Sequence, residues 1–325
     1  MTTPRRPAQA PLGILLMTYG SPATDADIPQ YLQSIRRGTP APADLVAEFT
    51  RRYRRIGFSP LLRITQAQAH ALQEQLDDRD GRDSYRVEVG MLHSDPSVAT
   101  AIHRLAGAHV TTVIGITLAP QYSPTILAGY HRAVAAAVGA AGAGINATIA
   151  GAWHLEPGFV SSLAGLVEDA LAGLGSHLRS TVPVIFTAHS LPRTVVERDP
   201  GYILQLQDTV AAIVSRVGLA PERWQFAYQS AGHTPEEWLR PDVTELLPGL
   251  CDAGYRDVLV VPVQFVSDHL EILYDIDVAA VEEAAAVGIT MHRIRLPNTS
   301  AAFIEALAAV VHREAETAGG PPPAW

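Results

Sequence analysis

PVIFTAHSLP, residues 183–192, is the stretch on which the fold turns. Its apolar run shows no polar alternation, the pattern of a strand buried on both faces of a parallel sheet. Pro192 closes the strand and leaves His189 at its carboxyl end. Five further runs read the same way: LGILLMTYG (12–20), YRVEVGML (85–92), TTVIGITLAP (111–120), RWQFAYQS (223–230) and DVLVVPVQFVS (257–267). Helical patterns lie between them, such as ADLVAEFTRRYRRI (43–56) and PGFVSSLAGLVEDALAGL (157–174). Strands alternating with helices predict an open α/β architecture rather than a sandwich or a bundle.

The layout repeats. An early strand in each half ends in a polar signature, MTYGSP (17–22) and FTAHSLP (186–192). A later strand does the same, with TLAPQYS (117–123) and VQFVSDH (263–269). This predicts two Rossmann-like lobes, each with a parallel sheet flanked by helices. The first is expected over residues 10–155 plus 298–316, the second over 156–297. VAAAVGAAGAGINATIAG (134–151) reads as a helix end and turn in the first lobe, and TAGGPPPAW (317–325) as an unstructured tail. Ligands of open α/β sheets bind outside the carboxyl ends of the strands. Four such ends should therefore face one cleft.

At 47% hydrophobic and 18% charged, a chain of 325 residues suits one large or two medium globular domains. No segment approaches the roughly 18 consecutive apolar residues that span a bilayer. The opening MTTPRRPAQAPLG has no apolar signal core, so a cytoplasmic location is expected. Cys251 is the single cysteine, which excludes internal disulfides and four-thiolate zinc or iron–sulfur sites. All 24 basic residues are arginine. Without lysine there is no Schiff base and no phosphate-binding P-loop. A net charge of −9 argues against a nucleic-acid partner. Yet residues 36–63 carry seven arginines (36, 37, 51, 52, 54, 55 and 63) against only Asp44 and Glu48. Such a run is either a solvated helix face or a dock for a ligand with several carboxylates, which arginine forks pair in bidentate fashion.

A lone histidine at a strand end is more often structural than catalytic. What changes the reading of His189 is SDHLEILYDID (267–277) at the other strand end of that half. If this segment is helical, Asp268, Glu271 and Asp275 fall at i, i+3 and i+7 on one face. Stacked carboxylates raise one another's pKa unless a cation is present. Beside His189 the stripe reads as a path or resting place for a divalent cation rather than as a solvated face.

Tyr19-Gly20-Ser21-Pro22, Ile35-Arg36-Arg37-Gly38, Ser59-Pro60-Leu61, Ala188-His189-Ser190-Leu191-Pro192, Gln229-Ser230, Trp238-Leu239, Pro241-Asp242-Val243 and Phe265-Val266-Ser267-Asp268-His269-Leu270-Glu271 occur in this order. Together they resemble the ferrochelatase family over residues 12–315, and Tyr19 resembles its coproporphyrin-using branch. The resemblance implies a chelatase-like fold and insertion of Fe²⁺, as substrate, into coproporphyrin III for haem biosynthesis. Protoporphyrin IX as substrate, or a non-catalytic porphyrin or haem carrier of the same fold, are the alternatives. It further implies His189 and Glu271 as the catalytic and metal-site pair. Tyr19 would approach the opposite porphyrin face, and Arg36, Arg52, Tyr53, Ser59 and Tyr130 would touch the macrocycle or its propionates. Asp268 and Asp275 would relay protons or metal. No permanently bound cofactor and no iron–sulfur cluster is expected, and a monomer is favoured; the iron donor is not legible. Ala231, His233, Arg240 and Gln264 depart from the family pattern. Gln264 stands where a glycine is frequent.

The chemistry needs these residue types. Metal insertion removes two pyrrole protons while a desolvated dication reaches the same ring centre. A neutral imidazole can accept a proton or hold the metal briefly, and a carboxylate can take the other role. Two or three N/O ligands suit an ion that must leave again better than a closed cage does. Rival readings lack their signatures: no G-x-G-x-x-G follows the first strand, no G-x-S-x-G surrounds Ser190 or Ser230, and the twelve histidines do not cluster as a cobalt or nickel site would.

Overall fold

The computed structural model describes residues 10–142, 144–232 and 235–317. In the first half the strands are β1 (Leu12–Thr18), β2 (Tyr85–Met91), β3 (Thr112–Thr117) and β4 (Asn146–Ile149). Helices α1 (Ile28–Ile35), α2 (Ala43–Arg55) and α3 (Leu61–Asp80) separate β1 from β2, and α4 (Val98–Gly107) and α5 (Ala128–Ala141) follow. Next come α6 (Pro157–Gly173) and α7 (Gly175–Thr181), then β5 (Val184–His189), α8 (Arg193–Arg198), α9 (Gly201–Val217) and β6 (Trp224–Gln229). The chain finishes with α10 (Val243–Asp252), β7 (Asp257–Pro262), a π-helix (Glu271–Ala280), α11 (Val281–Ala286), β8 (Thr290–Arg293) and α12 (Ala301–Thr317).

The two sheets are wholly parallel and share one order, β2-β1-β3-β4 and β6-β5-β7-β8. In each, the chain runs outward from the first strand in one direction and then crosses back to the other side. The switch point therefore lies between β1 and β3 in one sheet and between β5 and β7 in the other, where a crevice opens at the carboxyl ends. Tyr19 follows β1, and His189 ends β5. The repeat read from the sequence is thus a repeat of topology, and it puts both residues at switch points.

One core joins the sheets. A single apolar cluster takes Ile14, Leu16 and Ile116 from the first sheet and Val184, Phe186 and Val261 from the second, with Phe159, Leu163, Phe303 and Leu307 of α6 and α12. The opposite faces have their own clusters, one under α4 and α5 and one under α10 and the π-helix. Central strands are covered on both faces, which is why they read as unbroken apolar runs. A fourth cluster joins Ile28, Tyr31 and Leu32 of α1 and Tyr53 of α2 to Leu270 and Tyr274. The arginine-rich excursion therefore packs on the π-helix of the other half.

Polar ties also cross between the halves. Gln205 accepts from the Tyr122 amide at 2.8 Å and donates to the Tyr122 carbonyl at 2.9 Å. Buried Gln68 of α3 donates to Ser267 Oγ at 2.9 Å and to the Asn298 carbonyl at 2.8 Å.

Three expectations need correction. The segment 134–151 is not only a helix end and turn, because it contains β4. The run 257–267 leaves the sheet at Pro262, after which the Val263 amide makes one more bond, to the Thr187 carbonyl at 2.9 Å. The third concerns 267–277: Glu271–Ala280 forms a π-helix, and Asp268 precedes it. His233 and residues 318–325 lie outside the described residues.

Phe303 is fully buried, with its ring 6.4 Å from Phe159 and 6.3 Å from Trp153. Phe303→Ala is expected to lower the unfolding free energy by about 3–5 kcal/mol, read from urea denaturation at unchanged slope. A loss under about 1 kcal/mol, the size of an ordinary substitution, would remove α12 from the shared core.

Candidate active site

The ladder brings His189 to the cleft because β6 continues beside it. The Ser190 amide donates to the Gln229 carbonyl at 2.7 Å, and Ser190 Oγ donates to the Leu239 carbonyl at 2.9 Å. His189 Nδ1 donates to the carbonyl of Ser190. That leaves Nε2 facing outward, 3.6 Å from Glu271 Oε1. On the other side of the carboxylate, His269 Nε2 lies 3.5 Å from Oε2. His269 Nδ1 donates to the Ser267 carbonyl at 2.9 Å, so both imidazoles present the same nitrogen. Sequence reasoning passed over His269, although its place two residues before Glu271 was a usable signal. Gln229, almost fully buried, accepts from Thr187 Oγ1 at 2.7 Å and reaches the Glu271 carbonyl at 3.4 Å. The strand ends and the first turn of the π-helix are thereby fixed to each other.

The electrostatics follow from this geometry. Burial by itself would lower the pKa of His189, but the Glu271 carboxylate and the Ser190 carbonyl outweigh it and raise it to about 9. Burial would likewise raise Glu271, yet His189 and then His269 hold it well below the ordinary carboxylate range. At neutral pH the pair is therefore imidazolium and carboxylate. Asp275, one turn on, is raised by burial and by Glu271, while Ser230, Arg52 and His189 pull it back down. Arg52 Nη1 lies 3.5 Å from Asp275 Oδ1, and its Nε donates to Glu48 at 2.7 Å. Beside these groups a cavity of about 250 Å³ is lined by Arg52, Ser230, Asp242, Tyr274, Asp275 and Glu283. Ser230 closes β6 with a φ of 59°, a left-handed conformation unusual for serine. Among the described residues, no group of three or more histidine, cysteine or acidic side chains is gathered tightly enough to cage an ion.

Across the cleft, Tyr19 is 44% exposed and packs edge-on against His93 at 4.5 Å. Burial, then the fields of Glu271 and Tyr53, raise its hydroxyl to about 12. It stays a neutral phenol and faces the same space as Glu271. The turn behind it needs Gly20, at φ 94°, because a Cβ there would sit 2.5 Å from Ser94 Oγ.

Other candidates fall elsewhere. Asp268 is held by Asn298, which donates at 2.7 Å, and by Arg293 at 3.3 Å, so it does not share a face with Glu271. Tyr53 is 1% exposed; its ring stacks on Phe58 and its hydroxyl takes a bond from Ser21 at 3.4 Å. Tyr130 is buried in the core under α5, so its ring is not an open surface. Ser59 Oγ accepts from the Leu61 amide at 3.3 Å, at the start of α3. Arg36 is exposed at the end of α1. Of the arginine run, Arg51, Arg52, Arg54 and Arg55 are paired with acids, two of them in the other half. Arg240 pairs with Glu245, which caps α10, so that departure lies away from the cleft floor.

No helix among the described residues is long and apolar enough to cross a membrane. The fold is similar to that of SirB from Bacillus subtilis with Fe³⁺, at TM-score 0.57 and 11% identity over 96% of this chain and 99% of that one. It is also similar to CbiX, described as the terminal enzyme for biosynthesis of siroheme in denitrifying bacteria, at TM-score 0.53 and 15% identity over 93% and 97%. At such identities the likeness concerns fold alone. In sequence, the chain is 38% identical to a ferrochelatase of Deinococcus radiodurans over 94% of this chain and 97% of that protein. It is 36% identical to a coproporphyrin III ferrochelatase of Geobacillus kaustophilus over 92% and 94%, and 33% identical to that of Bacillus subtilis over 92% and 96%. The family model described as Ferrochelatase matches residues 11–315, and with relatives of this identity along nearly their whole length, the chain belongs to the ferrochelatase family.

Proposed function

We propose that the protein inserts Fe²⁺ into coproporphyrin III, releasing two protons, with the macrocycle between Tyr19 and the His189–Glu271 pair. The observation that carries this reading is that pair itself, set at the switch point of the second sheet and facing a phenol on the first. His189 rests protonated because Glu271 holds it so. An Fe²⁺ ion arriving at Glu271 cancels the carboxylate's field, and burial then favours the neutral imidazole. His189 gives up its proton to solvent and can take one from a pyrrole nitrogen. Metal arrival and base formation are thus one event. Asp275, whose affinity for protons is raised by burial, is the relay toward the adjoining cavity. Exposed Arg36 is the arginine assigned to a propionate in this reading. Arg52, shared between Glu48 and Asp275, tunes the relay as much as it binds substrate.

Coproporphyrin carries four propionates against two in protoporphyrin, so an arginine-bearing rim gains more from it. The relatives named as coproporphyrin III ferrochelatases support the same choice.

His189→Ala should reduce anaerobic insertion, followed by absorbance, by at least ~100-fold with porphyrin binding nearly intact. A variant that keeps more than about a tenth of wild-type turnover would mean another group takes the proton. Glu271→Gln should lower the pKa of the His189 ring from about 9, since burial is then opposed only by the Ser190 carbonyl and Asp275; an NMR titration of the ring reads this. In the same assay Glu271→Gln should lose far more activity than Asp275→Asn, and equal losses at saturating iron would point to a shared cation site instead. Finally, kcat/KM should favour coproporphyrin III over protoporphyrin IX. Tyr19→Phe should alter the visible spectrum of bound iron coproporphyrin while sparing single-turnover insertion. A clear preference for protoporphyrin IX would defeat the substrate assignment.

A further inference from the structure

The last turn of the β5 ladder is completed by a side chain. Residues of β5 alternate their backbone bonds between neighbours: Thr187 and His189 point toward β7, Ala188 and Ser190 toward β6. On the β6 side the ladder runs through Ser190. On the β7 side pairing ends at Thr187 opposite Pro262, and β7 bends away after Val263. The His189 amide is therefore left facing a gap at the switch point. Gln264 fills it. Its Oε1 accepts from the His189 N–H at 2.7 Å, and its Nε2 donates to Tyr202 Oη at 2.6 Å. Tyr202 lies on α9, is 2% exposed and belongs to the core shared by both sheets. The amide is thus oriented at both ends, with its oxygen toward His189 and its nitrogen toward a buried phenol.

We infer that Gln264, anchored by Tyr202, is a positioning residue that replaces the missing strand and fixes the backbone from which His189 presents Nε2 to Glu271. A glycine at 264 has no atoms with which to do this, and the His189 amide would then depend on water, its backbone held only through the β6 bonds of its neighbours Ala188 and Ser190. The function of Gln264 is indirect: it touches neither the porphyrin nor the ion, and acts through the orientation of His189. Side chains that orient a reacting group typically change activity by about 10- to 100-fold when removed.

This inference rests on His189 being the proton-accepting or metal-holding group, so the test separates the two claims. In the full-length protein, Gln264→Met keeps the volume and removes both the acceptor and the donor of the amide, whereas Gln264→Glu keeps an acceptor for the His189 N–H and can accept from the Tyr202 hydroxyl. Two quantities are measured: hydrogen exchange and the proton shift of the His189 amide without iron or porphyrin, and steady-state insertion with Fe²⁺ and coproporphyrin III. For Gln264→Met the expected result is faster exchange, an upfield amide shift and a kcat lowered about 10- to 100-fold, with the porphyrin KM within about twofold of wild type. Gln264→Glu should restore amide protection; its added charge beside His189 keeps it out of the kcat comparison. Tyr202→Phe, which leaves the core filled, should fall between the two. Unchanged exchange in Gln264→Met, or lost protection with kcat intact, overturns the inference. So does amide protection that Gln264→Glu fails to restore. If the wild-type protein inserts no iron, the proposed function fails, and the exchange measurement still decides whether Gln264 holds the His189 backbone.

Discussion

A carboxylate set between two imidazoles is the constraint around which the second half of this protein is arranged. Glu271 is 37% exposed to the cleft, so the pair it makes with His189 is partly solvated and contributes modestly to stability. Its cost lies elsewhere, in the geometry required. The imidazole must come from a strand end, and the carboxylate from a helix that begins close beside that end. A second histidine must then reach the far oxygen. Each demand is met by a bond to a backbone carbonyl: the Ser190 amide on Gln229, the Gln229 side chain on Glu271, and the His269 ring on Ser267. The result is a site whose charges are balanced without an ion and unbalanced by one, which suits a metal that must arrive and leave.

The first half answers this arrangement from across the cleft. Its excursion between β1 and β2 reaches over the π-helix, where Arg51 donates to the Tyr274 hydroxyl at 2.9 Å and Arg52 stacks over the same ring at 5.1 Å. Those cations offset Glu48 and Asp275, so the arginine run is largely spent on internal pairs. Members of that run sit in different settings. Arg54 and Arg55 make exposed pairs with Asp25 and Glu282, whereas Arg52 is drawn into the site.

What was legible in the sequence follows from burial. β1, β3, β5 and β7 are covered on both faces and announce themselves as apolar runs, and their polar ends mark the switch points. β4 and β8 are four-residue edge strands with half-exposed side chains, so neither leaves such a run. The π-helix was not readable because its apolar spacing is also that of an α-helix; what separates Asp268 from Glu271 is the bond network of Asn298 and Arg293, made by residues distant in sequence. Tyr53 and Tyr130 belong to motifs or positions that suggest substrate contact, yet the packing of α1, α2 and α5 buries their rings. Gln264 reads as a departure from pattern, because its meeting with the His189 amide depends on where β7 leaves the sheet.

The two sheets share one topology but place opposite chemistry at their switch points. The second offers ionic groups, whose field favours a dication on that side. The first offers Tyr19, whose hydroxyl is held protonated by burial first and then by the field of Glu271. The Tyr19 side therefore offers a neutral oxygen and the Glu271 side an anionic one. The asymmetry gives the cleft a direction. A symmetric fold thus presents two chemically different strand ends to one cleft.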